Sequence, residues 1–366
     1  MLLNNMEANV KLSRGMESDI IAPADLVLVT GAGGFIGTRV VESLLRRGFR
    51  RIRCFVRPSS SLARLRKVIT DAGAEDCVQL VTGNLQSRND CKTAVEGVAV
   101  IYHLAAGRGE KSYPDAFLNS VVTTRNLIEA AVEHGVLRRF VSVGSFTVYS
   151  NRNNPHDSLL EDSPVEEQPH LRGEAYCYAK VRQDELIIDY GRRQGLPYVI
   201  LRPGYVYGPG NEGISSRVGI GTFGIFLHLG GSRPVPLSYV DNCAEAIVLA
   251  GLRPGVNGQI FNVVDDELVS SRKFLRLYKQ HVRRFHSLYL PRFASYFLCW
   301  LWEAYSDWSK GQLPRAYNRL AWHAYWKGSR YSNQKLKQQL GWSPVVSTEE
   351  GLKRYFESCR RKLSRA

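Results

Sequence analysis

The chain has no C-x-x-C pair, and its seven cysteines (Cys54, Cys77, Cys91, Cys177, Cys243, Cys299 and Cys359) are odd in number and widely scattered. That excludes a disulfide framework or a zinc site of the usual spacing, and it predicts a reducing, cytoplasmic setting. The first two dozen residues lack the apolar core of a secretory signal, so none is expected there. No apolar run reaches the roughly 20 residues that a bilayer crossing takes. There is no internal repeat, no low-complexity tract and no nucleic-acid recognition signature, so no nucleic-acid partner is expected. Acidic residues are scarce: 34 Asp and Glu face 49 Lys and Arg, a formal net charge of +15. Such an excess favours anionic partners, among them nucleotide phosphates and anionic lipid headgroups. What remains is an ordinary globular composition, 44% hydrophobic on 366 residues, enough for a nucleotide-binding domain and a smaller lobe.

The most informative segment runs from Val27 to Gly37, Val-Leu-Val-Thr-Gly-Ala-Gly-Gly-Phe-Ile-Gly. An apolar β run enters a glycine turn and leaves as an amphipathic helix, expected from about Phe35 to Gly48. Gly31 supplies a permissive φ, Gly34 close backbone approach to a pyrophosphate, and Gly37 tight helix-on-strand packing. The amides at the helix start, around Phe35 and Ile36, would face phosphates. A second β run, Ile52 to Val56, completes the βαβ context that a dinucleotide site demands. An acidic residue at its end would hold the ribose hydroxyls of NAD, and none is present. Arg57 stands there, followed by Pro58-Ser59-Ser60-Ser61. Arginine pairs bidentately with phosphate, so the expected cofactor is NADP or NAD, with NADP favoured.

From Leu26 to about Leu201, β-rich runs alternate with helical stretches, the sequence form of a parallel sheet covered on both faces. Strands are expected at Leu26 to Thr30, Ile52 to Val56, Val78 to Val81, Val98 to Leu104, Phe140 to Val143 and Tyr198 to Leu201. The clearest helices are Phe117 to His134 and Ala175 to Arg193. After Arg202-Pro203-Gly204 the chain turns glycine-rich, then returns through a helix from Val240 to Leu252 and a strand from Gly258 to Val263. The expected division is an extension without order over 1–24, a nucleotide-binding domain over 25–201 plus 238–264, and a substrate lobe over 202–237 plus 265–366.

Tyr176 and Lys180 are four apart on an expected helix, so both project from one face. An ammonium beside a phenol favours the phenolate and brings it toward the working range of a general acid and base. About thirty residues earlier, Val141-Ser142-Val143-Gly144-Ser145-Phe146-Thr147 puts hydroxyls at the carboxyl edge of the sheet, where such folds bind ligands.

With these motifs the chain resembles the short-chain dehydrogenase/reductase superfamily, in its extended branch of epimerases, dehydratases and hydroxysteroid dehydrogenases. The resemblance covers roughly Leu26 to Ser358 and also rests on His103-Leu104-Ala105-Ala106, Leu201 to Pro209, Tyr239-Val240-Asp241-Asn242 and Leu340-Gly341-Trp342-Ser343-Pro344. It implies an α/β fold, a doubly wound parallel Rossmann sheet with a smaller C-terminal α+β substrate lobe. It implies a cofactor held by Gly31, Gly34, Phe35, Ile36, Gly37, Arg57, Asn84, Leu85, Leu104, Ala105, Ala106, Tyr176, Lys180, Pro203 and Val206. Tyr176 would handle the proton at the substrate oxygen, Lys180 would lower its pKa, Ser145 would orient the reacting group, and Asn119 would stabilise the active-site helix or a relay water. Thr147 and Tyr205 would be further substrate contacts. Asn84 departs from the aspartate of many relatives, which weakens the expected hold on adenine.

Phe146 and Thr147 stand where a sugar dehydratase usually carries an Asp-Glu pair, which argues against dehydration. The reading that follows is an NAD(P)-dependent oxidoreductase of a secondary alcohol or ketone, hydroxysteroid-like or otherwise lipophilic. Its alternatives are a nucleotide-sugar epimerase with tightly bound NAD and a non-catalytic dinucleotide sensor. The region 288–305 places Phe293, Tyr296, Phe297, Trp300, Leu301 and Ala304 on one helical stripe, after a run of basic residues. It reads either as a helix buried in the lobe or in a dimer contact, or as a peripheral contact with an anionic membrane. A homodimer is what the resemblance implies, paired through the two long helices.

Overall fold

A computed structural model describes residues 19–107, 112–152, 157–310 and 312–364. The run Val-Leu-Val-Thr is buried at every position and forms strand β1 (Val27–Thr30), the pattern of a strand covered on both faces. Helix α1 (Phe35–Arg46) follows at once, then β2 (Ile52–Val56), α2 (Ala63–Asp71), β3 (Val78–Thr82), α3 (Arg88–Val95) and β4 (Val100–His103). Next come α4 (Tyr113–Phe117), a π-helical turn (Leu118–Val122), α5 (Thr123–His134), β5 (Arg139–Val143), the short β6 (Ser158–Leu159), α6 (Ala175–Gln194) and β7 (Tyr198–Pro203). The second half carries β8 (Tyr205–Tyr207), β9 (Gly219–Thr222), β10 (Ile225–His228), β11 (Leu237–Tyr239), α7 (Val240–Leu252) and β12 (Gln259–Val263). It ends with α8 (Ser271–His281), β13 (Ser287–Tyr289), α9 (Arg292–Trp308), α10 (Arg319–Tyr325), β14 (Arg330–Tyr331), α11 (Gln334–Leu340) and α12 (Thr348–Leu363).

Seven strands form one parallel sheet in the order β12-β7-β5-β4-β1-β2-β3. On one face α1 and α7 pack together, with Val40, Val41, Leu44, Ile247 and Val248 buried and α11 alongside. On the other, α3, α5 and α6 bury Cys91, Ala94, Leu127, Ile128 and Ile187. The order reverses between β1 and β4, which opens a crevice at their carboxyl ends. A smaller α+β lobe has its own aromatic core, in which Tyr207, Tyr239, Phe274, Tyr278, Tyr355 and Phe356 pack mostly edge-on or tilted.

Several boundaries differ from the sequence reading. The first helix stops at Arg46 because Gly48 turns out at φ +83°. The stretch expected as one helix over Phe117 to His134 starts at Tyr113, capped by the Ser112 hydroxyl, and is interrupted by the π turn around Asn119. Residues 19–24, assigned to the extension, are packed: Ile21 is buried, the Ile20 N–H bonds to the Leu252 carbonyl, and Asp19 pairs with Arg253. The rest of that extension lies outside the described residues.

Candidate active site

The glycine turn is built for close approach. Gly31 has φ +70°, and a methyl group there would meet the Ala105 backbone nitrogen at 2.9 Å. A methyl at Gly37 would sit 2.1 Å from the Gly31 carbonyl oxygen, so α1 rests on the turn with no room between them. Leu104, Ala105 and Ala106 leave the end of β4 directly opposite, half-buried. The Ala105 N–H donates to Thr30 Oγ1 at 3.2 Å, which ties the two strand ends. A cradle of bare backbone at a helix start and a sheet switch point fits a dinucleotide pyrophosphate.

Arg57 is exposed at the end of β2, in a turn closed by the Ser60 N–H on its carbonyl. Ser61 and Leu62 lie against Gly33, and the Arg64 guanidinium and the Phe35 ring both lie against Gly210, so a second arginine stands near this end of the cradle. Asn84 is exposed, and its side-chain oxygen accepts from the Gln86 N–H at 3.0 Å, while Leu85 is buried beside it. The Asn84 amide thus holds its own turn. Pro203 ends β7 and Val206 lies in β8, both at the same edge of the sheet.

Tyr176 and Lys180 lie one turn apart on α6, with opposite exposures. Tyr176 is 38% exposed, whereas Lys180 is 4% exposed. The Lys180 ammonium donates to the Val143 carbonyl at 2.7 Å and to Gln183 Oε1 at 2.8 Å. Burial pulls its pKa down to about 8, opposed by the neighbouring Asp184 carboxylate. Val143 ends β5, and Ser145 follows two residues later, half-buried, with its hydroxyl accepting from the Thr147 N–H at 3.2 Å. The Cys177 thiol and the Arg172 guanidinium both donate to the Thr147 carbonyl, which fastens this turn to the start of α6. Ser145, Tyr176 and Lys180 are therefore carried by two elements locked together at the sheet's carboxyl edge.

Asn119 sits in the π turn, and its side-chain oxygen accepts from the Gln86 amide at 3.2 Å. A π turn widens the helix locally and often marks a functional position. Thr147 lies differently from the open substrate contact expected of it. It is buried, because the chain coils inward as a 3-10 turn after Ser145, and its hydroxyl meets the Tyr325 hydroxyl at 3.3 Å. The Tyr205 hydroxyl donates to the Gly213 carbonyl at 3.0 Å, into the glycine-rich loop.

Sequence reasoning missed the side chains that brace this edge from behind. Tyr325 donates to Glu174 at 2.7 Å, with the Arg172 and Arg217 guanidiniums over its ring at 4.8 and 5.0 Å. Gln183 was missed as well, although its position three residues after Lys180 was a usable signal, since i and i+3 share a helix face.

A parallel sheet with a phosphate cradle at its switch point, and a tyrosine–lysine pair beside it, defines a dinucleotide-dependent enzyme of the doubly wound α/β class. The family model described as "NAD dependent epimerase/dehydratase family" matches residues 27–263, and the chain belongs to that family. It is 27% identical over 346 residues to a 3-beta-hydroxysteroid dehydrogenase of Mycolicibacterium neoaurum, covering 89% of each chain. It is 25% identical over 259 residues to a UDP-glucose 4-epimerase of Vibrio cholerae, covering 68% of this chain and 74% of that one. In fold it is similar to a UDP-glucuronic acid 4-epimerase from Bacillus cereus crystallised with UDP-glucuronic acid and NAD, with TM-score 0.68, 20% identity, and coverage of 92% and 99%.

Proposed function

We propose that the chain is an NADP(H)-preferring dehydrogenase or reductase of a lipophilic secondary alcohol or ketone. The observation that carries this reading is the anchoring of Lys180 on Val143, which sets the cation one helical turn from Tyr176 and two residues from Ser145 along the strand end. When bound, the nicotinamide supplies or accepts the hydride. Tyr176, the exposed member, gives or takes the proton at the substrate oxygen. Lys180 holds a positive charge beneath it and favours the phenolate. Ser145 presents its hydroxyl to the reacting oxygen, and Asn119 steadies the active-site helix or a relay water. Arg57 and Arg64, with no carboxylate at the end of β2, support the NADP preference. The hydroxysteroid dehydrogenase relative supports a lipophilic substrate, and Phe146 and Thr147 in place of an acidic pair argue against dehydration.

Tyr176→Phe tests the assignment: turnover of the oxidoreductase reaction should fall about a hundredfold to ten-thousandfold while NADPH still binds. Wild-type turnover in that variant would overturn the role of Tyr176. Purified protein carrying stoichiometric NAD, with no net redox change on nucleotide sugars, would replace this reading with an epimerase. We also infer a homodimer paired through α5 and α6 in a reducing cytoplasm; sedimentation equilibrium checks the pairing.

A further inference from the structure

Helix α9 is inside out. The side it turns to the lobe is small or polar: Ser295, Cys299 and Ser306 are buried, and Ser295 accepts from the Trp322 indole of α10 at 2.9 Å. Its apolar stripe faces outward except for Tyr296, which is half-buried and edge-on to Trp322 at 5.0 Å. Phe293 is 79% and Trp308 75% exposed, and Phe297, Trp300, Leu301 and Tyr305 are exposed between them. Phe297 stacks on Trp300 at 5.5 Å and Tyr305 on Trp308 at 5.7 Å, so the exposed rings form ordered pairs. A face of this size on a monomeric surface marks an interaction site.

The strand that leads into α9 brings a second apolar element. Leu288 of β13 is exposed, and β13 pairs with β10 in register, Leu227 opposite Leu288. The β9–β10 hairpin turns through Phe223 and Gly224, at φ +46° and +75°. That is a left-handed two-residue turn, where asparagine or aspartate is the favoured first residue and an aromatic one is disfavoured. Phe223 nevertheless stands there with its ring fully exposed, so no packing of the ring offsets the conformation. The Phe226 N–H bonds to the His286 carbonyl, which sets this tip beside the basic pair Arg283-Arg284.

Charge selects the partner. Residues 271–330 hold twelve Lys and Arg against two acids, so ten of the chain's fifteen net positive charges fall there. Both acids are already paired, Glu303 with Arg319 and Asp307 with Arg315. Arg292 and Lys310 stand exposed at the two ends of the aromatic face. Two copies of such a surface would repel, and a neutral apolar partner would leave the cations unanswered. No helix among the described residues is long and apolar enough to cross a membrane, so contact would be peripheral.

We propose that the outer face of α9, together with the Phe223 hairpin tip and the Arg283-Arg284 pair, docks the enzyme on an anionic phospholipid surface. The aromatic rings sit at headgroup depth and the flanking cations bind phosphate and carboxylate groups. This holds whichever reaction the site performs.

The test is cosedimentation of the purified full chain with vesicles of phosphatidylcholine containing phosphatidylserine, against pure phosphatidylcholine. Binding should be at least about tenfold tighter to the anionic vesicles and weaken with salt. Phe293→Ser with Phe297→Ser and Trp300→Ser, and separately Arg283→Glu with Arg284→Glu, should each lower it about tenfold with NADPH affinity unchanged. Should the triple variant fail to fold, quenching of wild-type tryptophan fluorescence by brominated phosphatidylserine vesicles supplies the same readout. No vesicle binding, equal binding to neutral vesicles, or self-association abolished by the aromatic changes would each overturn the proposal.

Discussion

Lys180 donates to Gln183 Oε1 at 2.8 Å, and that amide continues a buried chain to the cofactor cradle. The Gln183 nitrogen donates to Thr124 Oγ1 at 2.7 Å, Thr124 meets His103 Nε2 at 2.9 Å, and His103 Nδ1 meets Thr30 Oγ1 at 2.8 Å. The cation at the substrate edge and the glycine turn are therefore positioned by one network. Gln183 is a positioning residue. Gln183→Leu removes one of two acceptors from the ammonium, so turnover should fall about tenfold. With Lys180 drawn down to about 8 by burial, the limb of the kcat/KM profile that its ionisation would set should move lower. Gln183→Glu should move it upward, because a carboxylate favours the charged form. An identical pH profile in all three proteins would show that the network does not act on Lys180.

The cofactor prediction concerns Arg57 and Arg64. Arg57 follows the end of β2, and the Arg64 guanidinium lies against Gly210, as does the Phe35 ring. A charged hydrogen bond to phosphate contributes about 1.5 to 3 kcal/mol, or roughly ten- to a hundredfold in affinity. Arg57→Ala should weaken NADPH by that factor and leave NADH within about twofold; Arg64→Ala should do so more weakly. Titration calorimetry measures both. Equal losses for the two cofactors would mean that neither arginine reads the 2′-phosphate.

The fold, and the placement of Tyr176 and Lys180 one turn apart at the candidate site, were legible because their signals are local. A β run, a glycine turn and an amphipathic helix are contiguous in Val27 to Arg46, and Tyr176 and Lys180 share a helix face. Contacts made by topology were not legible. Tyr325 reaches Glu174 from 151 residues away, and only the fold brings Arg64 to Gly210. The π turn at Leu118 to Val122 left no trace either, since Leu-Asn-Ser-Val-Val also suits an α-helix. Helix α9 shows a different limit. Periodicity grouped Phe293, Phe297, Trp300 and Leu301 on one stripe, but it cannot say whether a stripe faces in or out.

Acid should destabilise the protein through two buried histidines, His103 and His228, and the half-buried His323. Burial lowers His103 to about 3, and His228 and His323 to about 4, each well below the ordinary value near 6.5. Between those values the unfolded chain binds protons that the native state does not. Stability is thus full above pH of about 6.5 and falls as pH drops, by up to about 1.4 kcal/mol per unit for each histidine. Urea unfolding at neutral pH and in mild acid measures the slope. His103→Asn should be less stable at neutral pH, having lost two hydrogen bonds, yet should lose less on acidification. A slope equal to wild type would mean that His103 is already protonated in the fold.

The cradle itself can be tested at Gly37. A methyl there would lie 2.1 Å from the Gly31 carbonyl and 2.9 Å from Ala32 Cα, both backbone atoms that no side-chain rotation can move. Either α1 lifts off the turn or the turn opens, and each change disturbs the amides that would hold the pyrophosphate. Overpacking of this kind costs about 1 to 3 kcal/mol. Gly48→Ala is the control, because its methyl would meet nothing within 4 Å and only its φ of +83° opposes the change. Both variants should lose stability, Gly48→Ala by about 1 kcal/mol. Only Gly37→Ala should lose dinucleotide affinity, by tenfold or more, in thermal-shift titrations with NADPH and NADH. Retained affinity in folded Gly37→Ala would mean that the pyrophosphate lies elsewhere.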